Sequence, residues 1–357
     1  MNTTNKKIGV LVIDDSALVR RILTDMLESA DDIEVVGTAS DPLIARDKIK
    51  KLQPDVLTLD VEMPRMDGIT FLRNLMRLRP MPVIMVSSLT ESNADVTLEA
   101  LELGAVDFVT KPKIDVAQAL QHYVDELIEK VRAAARARVK GITAAPKSMP
   151  GHSAPRMPAR TALNTTDKII AIGASTGGTE AIRSVLQGMP VDCPGIVIAQ
   201  HIPPGFSKAF ADRMNIQTPL VVKEAENNDL VIPGHAFIAP GDRHLQLVRD
   251  GARYVCRLDD GPLVNRHKPS VDVLFASVLK TAGRNAAAAL LTGMGKDGAE
   301  GLLNFHLNGV HTIAQDEASS VVWGMPGEAV QRGAADQVLP LERIAGALVA
   351  AVTAPAA

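Results

Sequence analysis

One pattern recurs along this chain of 357 residues. A short apolar run stops abruptly at polar residues, and a stretch with helical periodicity follows. Ile8–Ile13 stops at Asp14-Asp15, Val56–Leu59 at Asp60, Val83–Val86 at Ser87-Ser88, and Val106–Val109 at Thr110-Lys111-Pro112. A further run spans Ile33–Thr38. Runs this short and this apolar read as strands buried on both faces. Between them, Leu18, Val19, Ile22, Leu23, Met26 and Leu27 share one helical face behind Ser16, a natural N-cap. Pro42–Leu52, Gly68–Arg77 and Ala94–Leu103 read as helices, and Val116, Leu120, Val124, Leu127 and Val131 mark a long amphipathic one. Strands alternating with helices require a parallel sheet covered on both faces.

The pattern returns after a break. Ile169–Ile172, Ile196–Ala199 and Ala287–Leu291 read as buried strands, with shorter ones near Val221, His235–Ala239, Leu245–Val248 and Tyr254–Leu258. The break itself loses the apolar rhythm. It carries Arg132, Arg136, Arg138 and Lys140, then Pro146, Pro150, Pro155 and Pro158, the composition of a semi-flexible linker. The expected organisation is an α/β chain of two doubly wound domains with mainly parallel sheets, residues 1–131 and 168–357, joined by a linker over 132–167. Each part is long enough for its own core. With 38 basic against 41 acidic residues, the chain lacks the basic excess of a general nucleic-acid binder. No apolar run of about 18 residues and no leader pattern stands out, so no membrane insertion and a cytoplasmic location are expected. Cys193 and Cys256 have no metal-ligand spacing and read as reduced structural thiols.

The chemistry lies where the strands stop. In an open parallel sheet the C-terminal strand ends share one edge, and ligands bind there. Asp14, Asp15, Asp60, Ser87 and Lys111 all fall on that edge in the first domain. Three crowded carboxylates favour a divalent cation held by oxygens, typically Mg²⁺. A lysine and a hydroxyl beside them complement the negative oxygens of a phosphoryl group.

In the second domain, Gly173, Ser175 and Gly177 match G-x-S-x-G, which sets a serine hydroxyl on a tight strand-to-helix turn beside a helix N-terminus. A phosphate-binding glycine loop fits the same short pattern. Ser175, His201 and Asp297 each follow a buried strand and have the types of nucleophile, base and orienting carboxylate. The histidine is not unique: His235 and His244 occupy turn-rich segments that read as exposed, and His267 reads as a surface residue or part of a groove. The order Ser…His…Asp argues against the α/β-hydrolase fold, where the acid precedes the histidine.

Two resemblances sharpen this reading. Asp14-Asp15, Leu59-Asp60-Val-Glu-Met-Pro64, Asp67-Gly68, Ser87 and Lys111-Pro112 resemble a response-regulator receiver domain, which is flavodoxin-like. That family implies phosphorylation of Asp60 by a histidine kinase, Mg²⁺ held by Asp14, Asp15, Asp60 and the Glu62 carbonyl, and Ser87, Phe108 and Lys111 at the switch positions. Gly173-Ala-Ser-Thr-Gly-Gly178, Gln200-His201-Ile-Pro-Pro-Gly-Phe206, Ile238-Ala-Pro-Gly-Asp242, Asn265-Arg-His-Lys-Pro-Ser-Val-Asp272, Leu291-Thr-Gly-Met-Gly-Lys-Asp-Gly298 and Gly324-Met-Pro326 resemble the Rossmann-like methylesterase domain of the CheB family. Ile202, Lys296 and Trp323 depart slightly from its familiar residues. This resemblance implies a protein-glutamate methylesterase and protein-glutamine glutaminase of chemotaxis receptors, switched on by phosphorylation. It also implies a Ser175–His201–Asp297 triad, backbone N–H groups of Thr176 and Met294 for the oxyanion, and no cofactor for the ester chemistry.

Overall fold

The computed structural model describes residues 6–63, 66–88, 91–111, 117–137, 139 and 167–353. Pro64, Pro112, Val116 and the linker prolines lie outside the described residues. The chain divides into two units, Met1–Ser148 and Met149–Ala357.

In the first unit the strands are β1 (Ile8–Ile13), β2 (Ile33–Ala39), β3 (Val56–Asp60), β4 (Val83–Ser87) and β5 (Asp107–Thr110). They form one parallel sheet in the order β2-β1-β3-β4-β5. The helices are α1 (Ala17–Glu28), α2 (Pro42–Leu52), α3 (Gly68–Leu78), α4 (Glu91–Glu102) and α5 (Ala117–Arg136). Three have side-chain caps at their starts, the first of them at Ser16 as its sequence predicts. Ser16 accepts a hydrogen bond from Val19 N, Asp41 from Leu43 N and Ile44 N, and Asp67 from Thr70 N, each satisfying orphan donors of a first turn. Leu11, Val12, Leu57, Leu59, Ile84 and Val86 are fully buried in the sheet, and each such side chain contributes about 1.5–3 kcal/mol of transfer free energy. Strand order reverses between β1 and β3, which places the ends of those two strands at the sheet's switch point.

The second unit is built on β6 (Ile169–Ala174), β7 (Gly195–Gln200), β8 (Val221–Glu224), β9 (His235–Ile238), β12 (Ala286–Leu290), β13 (His311–Gln315) and β14 (Gln337–Leu339). These form a seven-stranded sheet in the order β14-β13-β12-β6-β7-β9-β8, parallel throughout. A separate antiparallel hairpin joins β10 (His244–Asp250) and β11 (Arg253–Asp259). The helices are α6 (Gly178–Gln187), α7 (Phe206–Gln217), α8 (Val271–Ala282), α9 (Ala299–Leu307), α10 (Met325–Gln331) and α11 (Leu341–Thr353). Strand β12 reads Ala-Ala-Ala-Ala-Leu and is wholly buried. Alanine is a poor strand former, but pairing on both edges and complete burial override propensity here. Both units are thus doubly wound and parallel, as the alternating runs predict. Among the described residues no helix is long and apolar enough to cross a membrane.

Candidate functional site

In the first unit, Asp14 follows β1, Asp60 ends β3, Ser87 ends β4 and Lys111 follows β5, so the fold gathers them along one edge. Ligand oxygens of Asp14, Asp15 and Asp60 lie within 4.8 Å of one another, with Asp14 and Asp60 buried and Asp15 exposed. The loop that carries the first two is pinned by Arg20, whose Nη1 donates to the carbonyls of Asp14 (2.7 Å) and Asp15 (2.9 Å). Lys111 Nζ stands 2.9 Å from Asp60 Oδ2 and 3.3 Å from Asp14 Oδ2.

The electrostatics are those of a cluster only partly compensated by Lys111. Burial pushes the Asp60 carboxyl up to about 6, and the Asp14 charge adds to this, against the opposing pull of Lys111. Burial also raises Asp14. Asp14 Oδ2 is buried and receives no hydrogen bond, only the lysine charge. Hard oxygens, excess negative charge and an unsatisfied buried oxygen fit a small divalent cation such as Mg²⁺. Glu62 donates its N–H to Asp60 Oδ1 at 3.2 Å, so its backbone adjoins the cluster. Ser87 Oγ accepts a hydrogen bond from Thr97 Oγ1 on α4 at 3.0 Å, a contact that no sequence spacing signals. Phe108 is buried within β5.

In the second unit, Ser175 directly follows β6 and His201 directly follows β7. These two paired strands sit where the sheet order turns. Asp297 does not directly follow its strand. Residues 291–296 separate it from β12 and loop across to reach the histidine. Ser175 Oγ lies 3.1 Å from His201 Nδ1, and His201 Nε2 lies 2.8 Å from Asp297 Oδ2. The serine is half-buried, while Asp297 is 2% exposed.

Backbone contacts lock this geometry. Gln200 Nε2 donates to the carbonyls of both Ser175 and His201, each at 2.9 Å. Ser175 N–H donates to Thr292 O at 3.0 Å. Gly177 has φ +75°, and a Cβ there would stand 2.7 Å from the Val321 side chain. A Cβ on Gly293 would stand 2.7 Å from Ser175 Cβ, so the segment carrying Met294 lies directly against the turn that carries Ser175.

Asp297 is held by an array of donors. Oδ1 accepts from Ser270 Oγ (2.8 Å), Asn265 Nδ2 (2.7 Å) and Asp272 N (3.3 Å), and Oδ2 accepts from Val271 N (2.6 Å) as well as His201. Ser270 caps α8, so the carboxylate sits on a helix N-terminus, where backbone donors and the dipole favour an anion. Burial alone would raise Asp297, but the bonds from His201, Asn265 and Val271 outweigh it and hold the carboxyl below its ordinary range. With Asp297 ionised, His201 carries its proton on Nε2, and Nδ1 faces the serine as an acceptor.

Two histidines depart from expectation. His244 is not exposed: it is 1% accessible on β10. Its Nδ1 accepts from Ser270 N at 3.1 Å and its Nε2 donates to Pro262 O at 2.9 Å, so it ties together both ends of segment 262–270. Nor is His267 a solvated surface residue. Its ring stacks on that of His201, with centroids 3.8 Å apart and planes at 15°. Both histidines sit in segments rich in turn residues, and only tertiary packing buries His244 and stacks half-buried His267 on His201. His235, on β9, bonds its own turn through Pro233 O at 3.0 Å and does not join the serine. Asn265 and Ser270 were passed over as participants. Ser270 was legible as an N-cap ahead of an apolar helix, whereas nothing in the spacing of Asn265 marks it.

Residues 170–348 match the CheB methylesterase family model, and residues 10–124 match that of the response regulator receiver domain. The protein-glutamate methylesterase/protein-glutamine glutaminase 1 of Xanthomonas campestris pv. campestris is 58% identical over 351 residues, covering 98% of each chain. The similarly named protein of Hahella chejuensis is 59% identical over 342 residues, covering 95% of each. Among solved structures, the CheB methylesterase catalytic domain of Thermotoga maritima superposes with a TM-score of 0.50 at 39% identity, covering 51% of this chain and 97% of that one. With its glycine-flanked serine turn, its acidic strand-end cluster and relatives matched along nearly its whole length, this chain belongs to the CheB methylesterase family.

Proposed function

We propose that this chain is a phosphorylation-activated protein-glutamate methylesterase and protein-glutamine glutaminase acting on chemotaxis receptors in the cytoplasm. A receiver domain over 1–131 and a linker over 132–167 would precede the catalytic domain, 168–357. The observation that carries the reading is the chain of contacts from Ser175 Oγ through His201 to the ionised Asp297.

Ser175 Oγ attacks the γ-carbonyl carbon of a methylated glutamate, and its proton passes to His201 Nδ1. Asp297 accepts from Nε2–H throughout and stabilises the imidazolium that forms. The N–H groups of Thr176 and Met294 receive the developing oxyanion, an interaction whose loss typically costs about 10²–10³ in rate. Collapse of the tetrahedral species breaks the C–O bond, and the proton on Nδ1 leaves with methanol. For a glutamine the C–N bond breaks and ammonia leaves. Water, deprotonated by Nδ1, then releases the glutamate and regenerates the serine.

In the receiver domain, Asp60 would take the phosphoryl group from the phosphohistidine of a chemotaxis kinase. Mg²⁺ bound by Asp14, Asp15, Asp60 and the Glu62 carbonyl would neutralise charge on the phosphoryl oxygens. Lys111 pairs with the phosphoryl group in place of the bare carboxylates, and Ser87 leaves Thr97 to bond it, with Phe108 repositioned in step. Activation requires only that phosphorylation favour the active state over the inactive one.

Methanol release from methylated receptor, measured with and without acetyl phosphate and Mg²⁺, tests both halves. Release should rise with the phosphodonor and vanish in Ser175→Ala. Turnover near that of the unaltered chain in Ser175→Ala would refute the esterase assignment, and indifference to phosphodonor in the intact chain would refute the regulatory one.

A further inference from the structure

The turn Val264–His267 reaches the triad from outside the parallel sheet. Val264 N–H donates to His267 O at 3.1 Å and His267 N–H to Val264 O at 2.9 Å. Between them Asn265 and Arg266 have φ of 52° and 68°. This is a two-residue hairpin loop with both central residues left-handed, a conformation asparagine tolerates better than most side chains. It carries a conformational cost that surrounding contacts must offset.

The offsetting contact is unusual. Asn265 Nδ2 donates to Asp272 Oδ2 at 2.6 Å and to Asp297 Oδ1 at 2.7 Å. Two carboxylate acceptors settle which end of the amide faces them. The far carboxylate is itself fixed: Asp272 Oδ1 accepts from Gly301 N at 2.7 Å, joining the start of α8 to α9. Burial and the neighbouring Asp297 charge push the Asp272 carboxyl up, while Asp297 is held low. The two acids therefore compete, and one amide stands between them.

We propose that Asn265 is a positioning residue of the triad, tying Asp297 to the Asp272 anchor and so holding the acceptor that orients His201. The proposal rests on the serine-hydrolase reading above. Without the amide, Asp297 Oδ1 keeps Ser270 Oγ and Asp272 N, but no donor bridges it to Asp272 Oδ2. Repulsion then displaces Asp297 or protonates one of the pair, and either change frees the His201 ring from its productive orientation.

The titratable and charged groups around residue 265 are Asp272 on α8 and Asp297, with His201 beyond the latter, and Arg266 and His267 of its own turn, the His267 ring stacked on His201. This dictates the test, made on the full-length chain by methanol release from methylated receptor across a range of pH. Asn265→Ala should lower kcat by about 10–100-fold, by analogy with losing the outer partner that orients a metal-binding side chain, and leave KM unchanged. Asn265→Asp introduces a group that donates only when protonated. Its activity relative to Asn265→Ala should therefore climb as the pH falls. A kcat for Asn265→Ala near that of the unaltered chain overturns the proposal, as does a ratio of the two variants that stays constant with pH. If Asn265→Ala unfolds, the ratio of Asn265→Asp to the unaltered chain decides on the same criterion. Ser175→Ala separates the two levels. If it keeps its activity, the triad itself is wrong; if it is dead while Asn265→Ala is normal, only the role of Asn265 fails.

Discussion

Replacing Asp297 by asparagine keeps the shape of the side chain but turns one acceptor into a donor. Neither orientation suits the site. If the amide nitrogen takes the place of Oδ2, it meets Val271 N–H and His201 Nε2. The imidazole can then accept there only by moving its proton to Nδ1, which faces Ser175 and ceases to be a base. If the nitrogen takes the place of Oδ1, it meets the donors of Asn265 and Asp272 N. One or two buried donors are left unmatched, at about 1–3 kcal/mol each. For a unit of this size that lowers the unfolding midpoint by roughly 2–4 °C per kcal/mol. The change of tautomer costs about 10⁴ in kcat by analogy with other triads.

A pH series adds a sign. The folded carboxyl is held below its ordinary value, so ionised Asp297 adds stability that is complete above about pH 4 and is lost as the pH falls towards the depressed folded value. The gap in midpoint between the unaltered chain and Asp297→Asn should therefore narrow in acid. Calorimetry and methanol release measure both effects. A variant that keeps a tenth or so of the activity, or a gap that does not change with pH, would refute the account.

Three further outcomes follow from the same geometry. Asp60, raised to about 6 by burial, has a folded value above its unfolded one, so its ionisation opposes folding. Without divalent cations the first unit should be more stable near pH 5 than near pH 7.5, and Mg²⁺ should raise its midpoint more at the higher pH. Thermal scans of the chain with and without Mg²⁺ check this, and a midpoint that rises with pH in the absence of metal would contradict it. Gly293→Ala puts a Cβ 2.7 Å from Ser175 Cβ and 3.1 Å from Ser175 N. Displacing the nucleophile by a few tenths of an ångström to 1 Å should cost up to about 10² in kcat, read by methanol release beside a thermal scan. His244→Leu removes the tie between Pro262 and Ser270 and should lower stability by about 1–3 kcal/mol through the buried Ser270 N–H left without an acceptor, measured by denaturant unfolding.

Much of this molecule was legible before any coordinates. Runs such as Ile169–Ile172 and Val83–Val86 are apolar on both faces, and only a covered parallel sheet accommodates them. Residues that stop such runs share one edge of the sheet, so Asp14, Asp60, Ser87 and Lys111 were readable as neighbours, as were Ser175 and His201. The caps at Ser16, Asp41 and Asp67 were local and equally readable. Such features follow from periodicity and from hydrogen bonding within a few residues, which the order of residues dictates directly.

Other features depend on contacts between segments remote in sequence. His201 was already favoured by its strand end and by the family resemblance, whereas the burial of His244 and the stacking of His267 on His201 came from packing against segments far along the chain. Asp297 reaches its histidine across residues 291–296, a path that strand ends do not predict. That Asn265 bridges two carboxylates depends on a left-handed turn placed against the N-terminus of α8. Hydrogen bonds and desolvation act over about 3 Å in space whatever the separation in sequence, so the tertiary fold alone decided which residues anchor and cover those that the strand ends had already brought together.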